Sequence, residues 1–257
     1  MGNTTIVIVP GAWLSKSFYS SYITALENAG YQTSYLGYPS LDPVEPAKAD
    51  CATDTAAIKE ALKSLVEDEE KNVVLVCHSY GGMPGSAAAT GLSKTKRIQD
   101  GKQGGVLGLI YVGAFLVPEG VSCAGAMGGS LPDWVLLDNP HPGLNIPNNP
   151  IHHFAADFDA ATAAEMTTQL RPHSTLAFNS AQPAPAWADP SFKGRLAYIV
   201  TGEDVAVPKV AQYGMMAGTG QEWIVKEAEA SHCATYKVKI DENLKQLEEL
   251  VRAFEVV

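Results

Sequence analysis

The sequence lacks an uninterrupted apolar run of the ~20 residues that a membrane-spanning helix requires. It also lacks an excess of basic residues, because 18 Lys and Arg stand against 28 Asp and Glu, for a formal charge of -10. We therefore expect neither a nucleic acid nor a membrane as a partner. The chain runs from Met1 directly into an apolar segment at Ile6–Val9, without a basic stretch or a cleavage site. This start predicts a cytoplasmic protein.

Cysteine is scarce, and its spacing is uninformative for metal binding. The four cysteines are Cys51, Cys77, Cys123 and Cys233. They form no C-x-x-C pair and no Cys/His pattern typical of zinc sites. We expect four free thiols in a reducing compartment, with no metal and no organic cofactor.

The order of apolar runs and helical patterns predicts an α/β fold. Nearly continuous apolar runs, typical of strands covered on both faces, alternate with helical periodicity, as in a parallel sheet with crossover helices. The candidate strands are Ile6–Val9, Thr33–Leu36, Val73–Cys77, Val106–Val112, Leu196–Thr201 and Trp223–Glu227. The candidate helices between or after them are Thr53–Glu69, Gly81–Gly91 and Asp241–Phe254. The length of 257 residues suits a single domain spanning 1–257.

The segment 116–190 interrupts this alternation. It contains ten of the 16 prolines and one candidate helix, Asp159–Leu170. A loop of this length in a compact domain is more often a lid or binding element than a plain linker. We interpret 116–190 as an inserted cap over the ends of the strands.

A serine lies in a sharp turn between a candidate strand and a helix of small residues. The turn reads Cys77-His78-Ser79-Tyr80-Gly81-Gly82. A serine exposed at such a turn has strained backbone angles, and the residues two positions away must be small. Gly81 meets this requirement, and Cys77 replaces the usual glycine on the other side. We predict that Ser79 is a nucleophile, and we expect His78 to pack rather than to react, although a direct chemical role is the alternative.

A base and an acid are expected at the carboxyl ends of later strands. The six histidines are His78, His141, His152, His153, His173 and His232. Only His232 follows the last candidate strand, which is where catalytic groups collect in open α/β sheets. The loop after Leu196–Thr201 offers two carboxylates, Glu203 and Asp204. We favour Asp204 as the acid that orients His232, with Glu203 as the rival, in the chain order Ser, Asp, His.

The oxyanion formed on a substrate needs preorganised N–H donors. The turn around Ser79 aims the N–H of Tyr80 at this position, and Gly11 permits torsions that let the N–H of Ala12 face the pocket. At this point the chain resembles the α/β-hydrolase superfamily, in particular the small serine esterase branch related to plant methylesterases and hydroxynitrile lyases. The motifs that carry the resemblance are Pro10-Gly11-Ala12-Trp13, His78-Ser79-Tyr80-Gly81-Gly82, Thr201-Gly202-Glu203-Asp204 with Pro208, and Ser231-His232.

The resemblance implies an α/β-hydrolase fold with a roughly six-stranded, mostly parallel sheet. It also implies Ser79 as nucleophile, His232 as base, Asp204 as acid, and the N–H groups of Ala12 and Tyr80 as the oxyanion hole. Two positions depart from the lyase members, which use a threonine beside the oxyanion loop and a lysine after the catalytic histidine. Here these positions are Gly11 and Cys233, which argues against cyanohydrin chemistry. Pro10 stands where many relatives have a histidine.

These features predict hydrolysis of a carboxylic ester or lactone of a small, largely apolar metabolite. One alternative keeps the triad in a lyase, C–C bond hydrolase or cyclase, and another is a ligand-binding protein of the same fold with little turnover. We expect the chain to be a monomer or a homodimer. The candidate substrate-binding residues are Trp13, Trp134, His152, His153, Phe154 and Phe178.

Overall fold

Two sheets organise the computed structural model, which describes residues 4–255. In chain order the strands of this part are β1 (Thr4–Val9), β2 (Gln32–Tyr35), β3 (Asn72–His78), β4 (Gly105–Val112), β5 (Val135–Leu137), β6 (Leu144–Pro147), β7 (His173–Ser174), β8 (Leu196–Thr201) and β9 (Ile224–Ala228). Six of them form a parallel sheet in the order β2-β1-β3-β4-β8-β9. The remaining three form a small antiparallel sheet, β5-β6-β7.

The parallel sheet confirms the six predicted strands, whose ends shift by no more than two residues. Every residue of β1, β4 and β8 is buried, and so is all of β3 after Asn72. This two-sided burial explains why these strands read as continuous apolar runs rather than as an alternating pattern.

Helices cover both faces of this sheet and fill the connections. In chain order the α-helices of the described part are α1 (Ser20–Asn28), α2 (Cys51–Lys63), α3 (Gly82–Ala89), α4 (Lys94–Gln99), α5 (Cys123–Ala126), α6 (Pro150–Phe154), α7 (Ala160–Gln169), α8 (Thr175–Asn179), α9 (Lys209–Thr219) and α10 (Ile240–Glu255). The predicted helix Thr53–Glu69 begins earlier, because Asp50 and Thr53 form a capping box at its start. It ends as an α-helix at Lys63 and continues through one π-helical turn, Ser64–Asp68.

The cap segment holds more regular structure than its sequence indicates. The predicted helix Asp159–Leu170 is present as α7, but β5, β6, β7 and the short helices α5, α6 and α8 were not predicted. Elements of two to five residues are too short to show a helical or strand period. Bridges from Leu14 to Leu170 and from Leu41 to His173 join the cap to the loops after β1 and β2.

The parallel topology decides where functional groups meet. The loops that follow β1, β3, β4 and β8 all leave the sheet at the same edge, because parallel strands share one direction. No helix within residues 4–255 is long and apolar enough to cross a membrane.

Candidate active site

Ser79 lies in a strained turn at the end of β3. Its φ angle is +52°, a value that residues other than glycine rarely adopt. The turn fits tightly against the β1 loop, because a Cβ atom at Gly81 would lie 2.3 Å from the carbonyl oxygen of Pro10. On the other side, a Cβ atom at Gly85 would lie 2.8 Å from Cys77 Sγ. Cys77 can therefore replace a glycine because the helix that packs on it has no side chain at position 85.

His232 and Asp204 form a buried hydrogen-bonded pair. His232 Nδ1 lies 2.7 Å from Asp204 Oδ2, and the same oxygen accepts a hydrogen bond of 2.8 Å from Thr201 Oγ1. The other carboxylate oxygen accepts 2.8 Å from the N–H of Val207. With Nδ1–H donating to the carboxylate, Nε2 of His232 remains available as an acceptor. Glu203, the rival acid, is exposed, so the pairing is made by Asp204.

The surroundings of this pair leave little freedom to the carboxylate. Gln212, fully buried on α9, donates to Thr201 Oγ1 at 3.1 Å and to the Thr201 carbonyl at 2.9 Å. A Cβ atom at Gly113, after β4, would lie 2.8 Å from Thr201 Oγ1 and 3.1 Å from Asp204 Oδ2. Because Gly113 also has a φ of +50°, this position is suited to glycine on two independent grounds.

Ser79 and His232 face one cavity. Both side chains line it, and both are more than nine-tenths buried. Among the described residues, the Ser79 hydroxyl makes no hydrogen bond with His232. Hydrogen bonds between a nucleophile and its base are often long in enzymes without substrate and shorten in the complex. The arrangement therefore places an acceptor nitrogen and a hydroxyl at the wall of the same chamber.

The cavity is small and apolar. The space between its lining atoms is about 370 Å³, a figure that includes volume open to solvent. Its lining consists of Ala12, Trp13, Ser79, Phe115, Cys123, Met127, Leu131, Pro132, Trp134, Val135, Phe154, Phe178, Ala206, Val207 and His232. None of these lining residues is Asp, Glu, Lys or Arg. An ammonium group placed here would lose its hydration without gaining a counter-charge, and a carboxylate would find no Lys or Arg to pair with.

Four of the six predicted substrate-binding residues line this cavity, namely Trp13, Trp134, Phe154 and Phe178. The other two, His152 and His153, do not. His152 is exposed on α6, and the ring of His153 stacks on Trp134 with 4.5 Å between centroids. His153 therefore packs on the outside of the wall, and neither histidine is proposed as a substrate contact.

Trp13 connects the cavity to the cap. Its indole Nε1–H lies 2.9 Å from Asn145 Oδ1 and 3.2 Å from the Asn145 carbonyl, both on β6. Its own carbonyl accepts from the N–H of Arg171 at 2.9 Å. Asn145 is fully buried and was missed in the sequence, where a single Asn among cap prolines carries no signal.

The cap also holds the loop that carries His232. The carbonyl of Phe154 accepts hydrogen bonds of 2.9 Å from the Cys233 N–H and from Ser231 Oγ. Asp157 accepts from the Ser231 N–H at 3.1 Å and from the Ser231 hydroxyl. Residues on both sides of His232 are thus fixed by the segment between α6 and α7. The sequence indicated Ser231 and His232, but it gave no signal for Asp157.

The proposed oxyanion donors lie on the two turns beside Ser79. Ala12 lines the cavity, and its N–H has no hydrogen-bond partner within residues 4–255. Tyr80 follows Ser79 directly, and its side chain points into the protein, where its hydroxyl donates to Asp54 at 2.8 Å. The Tyr80 side chain is fully buried and does not line the cavity. A role for Tyr80 in the site therefore rests on its backbone N–H and not on its side chain.

A strained serine between a parallel strand and a helix, with an imidazole–carboxylate pair at the same sheet edge, is the arrangement of α/β-hydrolases. The chain belongs to the alpha/beta hydrolase family, whose family model matches residues 6–237.

Relatives and solved structures agree with this assignment. The chain is 26% identical over 246 residues to "Probable hydrolase R7" from a Phoma species, covering 91% of this chain and 92% of that protein. The methylesterase MES16 from Arabidopsis superposes with a TM-score of 0.71 at 18% identity, over 96% of this chain and 99% of the other. Tomato methylketone synthase I, solved with 2-tridecanone, has a TM-score of 0.73 at 17% identity, over 99% and 100% of the two chains. At these identities the two structures support the fold alone.

Proposed function

We propose that this hydrolase cleaves a carboxylic ester or lactone of a small, neutral, largely apolar metabolite through an acyl-enzyme on Ser79. The observation that carries the proposal is the buried His232–Asp204 pair at 2.7 Å, whose imidazole shares a cavity wall with the strained Ser79. A serine hydroxyl is a weak nucleophile at neutral pH, and a positioned imidazole is what activates it.

The proposed reaction has two halves. Ser79 Oγ attacks the carbonyl carbon while His232 Nε2 takes the hydroxyl proton, and Asp204 stabilises the imidazolium that forms. The N–H groups of Ala12 and Tyr80 bind the oxyanion of the tetrahedral intermediate. The imidazolium then protonates the leaving alkoxide, which departs as the alcohol. Water attacks the acyl-enzyme with His232 as base, which releases the acid and restores the Ser79 hydroxyl.

The cavity supports the choice of substrate class. Its wall combines two tryptophans and three phenylalanines with no charged side chain. Such a wall favours an aromatic or branched apolar acyl group, because burying apolar surface gives roughly 25 cal/mol per Å² while burying an unpaired charge costs several kcal/mol.

The test begins with covalent labelling. The protein is treated with a fluorophosphonate, and the intact mass and the labelled peptide are determined for the wild type and for Ser79→Ala. We expect one adduct, on Ser79, and none in the variant. The same two proteins are then tested on a panel of aryl esters and lactones, with the products identified by mass spectrometry.

The products distinguish the proposal from its alternatives. Hydrolysis that depends on Ser79 supports the proposal. Labelling without any hydrolysis would contradict it and favour a lyase, C–C bond hydrolase or cyclase. Tight binding of panel compounds with almost no turnover would favour a ligand-binding protein.

A further inference from the structure

A continuous chain of hydrogen bonds links three turns of the proposed active site. The N–H of Gly11 donates to the Tyr19 hydroxyl oxygen at 2.9 Å. The same oxygen lies 2.8 Å from His78 Nδ1, and His78 Nε2 lies 3.0 Å from the backbone carbonyl of His232. All of these groups are buried.

The direction of each hydrogen bond follows from the chemistry of its partners. The His232 carbonyl can only accept, so His78 Nε2 carries a proton. Burial, reinforced by neighbouring His232, holds the pKa of His78 well below its ordinary value, so the ring is neutral and Nδ1 is an acceptor. Burial also raises the pKa of Tyr19 well above its ordinary value, so its hydroxyl keeps the proton that it donates to Nδ1. Every donor in the chain therefore has one acceptor.

Apart from Tyr19, each residue in this series of hydrogen bonds is next to, or is itself, a residue that the proposed reaction uses. Gly11 precedes Ala12, His78 precedes Ser79, and the accepting carbonyl belongs to His232 itself. We infer that Tyr19 and His78 are positioning residues. They hold three turns in fixed positions relative to one another, namely the turn with Ala12, the turn with Ser79 and the loop with His232. The inference rests on the proposed function and adds two residues to it.

The three turns are close enough for a shift in one to reach the others. A Cβ atom at Gly11 would lie 3.0 Å from Ser79 Cβ and 3.1 Å from His78 Nδ1. The rings of His78 and His232 are 4.8 Å apart between centroids. Without the Tyr19 hydroxyl, the buried Gly11 N–H and the His78 Nδ1 would both lose their partners, and unsatisfied buried groups favour rearrangement.

A neighbouring tyrosine provides a matched control. Tyr22 is as buried as Tyr19 and lies three residues further along, on α1. Its hydroxyl has no hydrogen-bond partner among the described residues. Tyr19→Phe and Tyr22→Phe therefore remove the same atom from equally buried rings, and only the first breaks the chain.

The experiment compares these two variants with the wild type. The readouts are the second-order rate constant for fluorophosphonate labelling of Ser79, which needs no known substrate, and kcat and KM for an ester that the wild type hydrolyses. We expect Tyr19→Phe to lower the labelling rate and kcat by about 10- to 100-fold, the range expected for a displaced donor or nucleophile. KM should change less than threefold, and Tyr22→Phe should stay within twofold of the wild type in every readout.

Variants of His78 test the donor and acceptor roles assigned to this series of hydrogen bonds. His78→Gln retains an N–H donor for the His232 carbonyl and should keep more activity than His78→Leu, which has no polar group. Combining Tyr19→Phe with His78→Leu should cost no more than His78→Leu alone, because the two residues act as one unit. If His78→Leu does not fold, the comparison of Tyr19→Phe with Tyr22→Phe still tests whether the Tyr19 hydroxyl positions the active site.

The inference and the proposed function fail in different ways. Equal labelling rates and equal kcat in Tyr19→Phe and Tyr22→Phe would overturn the inference while leaving Ser79 as the nucleophile. A wild type that is labelled but hydrolyses nothing would contradict ester hydrolysis, and the labelling rates would still test the positioning role. A wild type that is not labelled at all would overturn both.

Discussion

The Tyr80 hydroxyl donates a hydrogen bond of 2.8 Å to the carboxylate of Asp54, a fully buried residue of α2. Asp54 also accepts from the N–H and the hydroxyl of Ser40, at 2.8 and 2.5 Å. Ser40 Oγ lies 3.0 Å from His173 Nε2 on β7. One buried acid therefore connects the turn that carries Ser79 with the cap.

The first prediction concerns pH and the stability of this network. Burial raises the pKa of Asp54 from 3.8 to about 6, despite the hydrogen bonds that favour its carboxylate. The folded chain thus binds this proton more tightly than the unfolded chain. Its contribution to stability is fully present below about pH 4 and is lost as the pH rises through about 6. This rise in pKa from 3.8 to about 6 corresponds to at most about 3 kcal/mol of the free energy of unfolding.

The variant Asp54→Asn isolates this effect, because its amide stays neutral at every pH. We expect the free energy of unfolding of Asp54→Asn, relative to the wild type, to rise by up to about 3 kcal/mol between pH 4 and pH 7. Urea denaturation of both proteins at intervals across this range measures the difference. A difference that stays constant with pH would show that Asp54 does not titrate there.

The second prediction separates the two carboxylates after β8. In Asp204→Asn, the side-chain oxygen keeps its hydrogen bond from the Val207 N–H, so the amide NH₂ faces His232 Nδ1. This donor favours the tautomer of His232 that carries its proton on Nε2, which cannot accept the proton of Ser79. We expect kcat to fall by about 10⁴-fold, as for the equivalent change in other serine triads. Glu203→Gln, at the exposed neighbouring residue, should change kcat less than twofold. Steady-state kinetics on one ester compares the two, and equal losses would contradict the assignment.

The third prediction concerns Gly113. In Gly113→Ala, the new Cβ atom would lie 2.8 Å from Thr201 Oγ1 and 3.1 Å from Asp204 Oδ2. Both groups must then move by a few tenths of an ångström, which disturbs the hydrogen bond between Asp204 and His232. We expect kcat to fall by about 10-fold, less than the roughly 100-fold that a displacement of about 1 Å costs in an active site. The stability should also fall by about 1–2 kcal/mol, because of the positive φ.

Gly101→Ala is the matched control for Gly113. Gly101 has a φ of +70° and no neighbouring atom within 4 Å of an added Cβ. It should show the loss of stability without the loss of kcat. Thermal unfolding and kinetics of both variants separate the loss of stability caused by the positive φ from the loss of kcat caused by the close contact with Asp204. Normal kcat in folded Gly113→Ala would mean that the carboxylate tolerates the shift.

The sequence predicted those features of the site that are formed by residues close together in the sequence. The six strands of the parallel sheet are continuous apolar runs, and the turn around Ser79 is a short pattern with a steric reason for each small residue. The loop after β8 offered two acids, of which the sequence favoured Asp204, and the burial of Asp204 and its hydrogen bond to His232 agree with that choice.

The residues that the sequence did not indicate act across long distances in the chain. Tyr19 contacts His78, 59 positions away, and Ser231 contacts Asp157, 74 positions away. A tyrosine near a helix start and an aspartate in a loop are common, so their types alone carry no signal. Gly113 had a weak signal, since a glycine directly after an apolar strand indicates a turn. That it makes room for Asp204 depends on the arrangement of β4 and β8.

The last prediction concerns charge in the acyl group. The cavity wall has no Lys or Arg to neutralise a carboxylate, and the one imidazole in it, His232, is paired with Asp204, so a charged acyl chain would be buried without a partner of its own. 4-Nitrophenyl butyrate and mono-4-nitrophenyl succinate share a leaving group and a four-carbon acyl chain, and they differ in one terminal carboxylate. We expect kcat/KM to be at least about 100-fold lower for the succinate, which corresponds to roughly 3 kcal/mol of unpaired charge burial.

A charge placed in the wall should reduce this discrimination. Met127 lines the cavity and is partly exposed, so Met127→Lys can keep its ammonium group hydrated while reaching toward the acyl chain. The variant should narrow the ratio between the two esters by raising kcat/KM for the succinate, whereas Met127→Leu should leave the ratio unchanged. Equal kcat/KM for both esters in the wild type would show that the acyl chain extends into solvent, and the apolar chamber would then not be the acyl site.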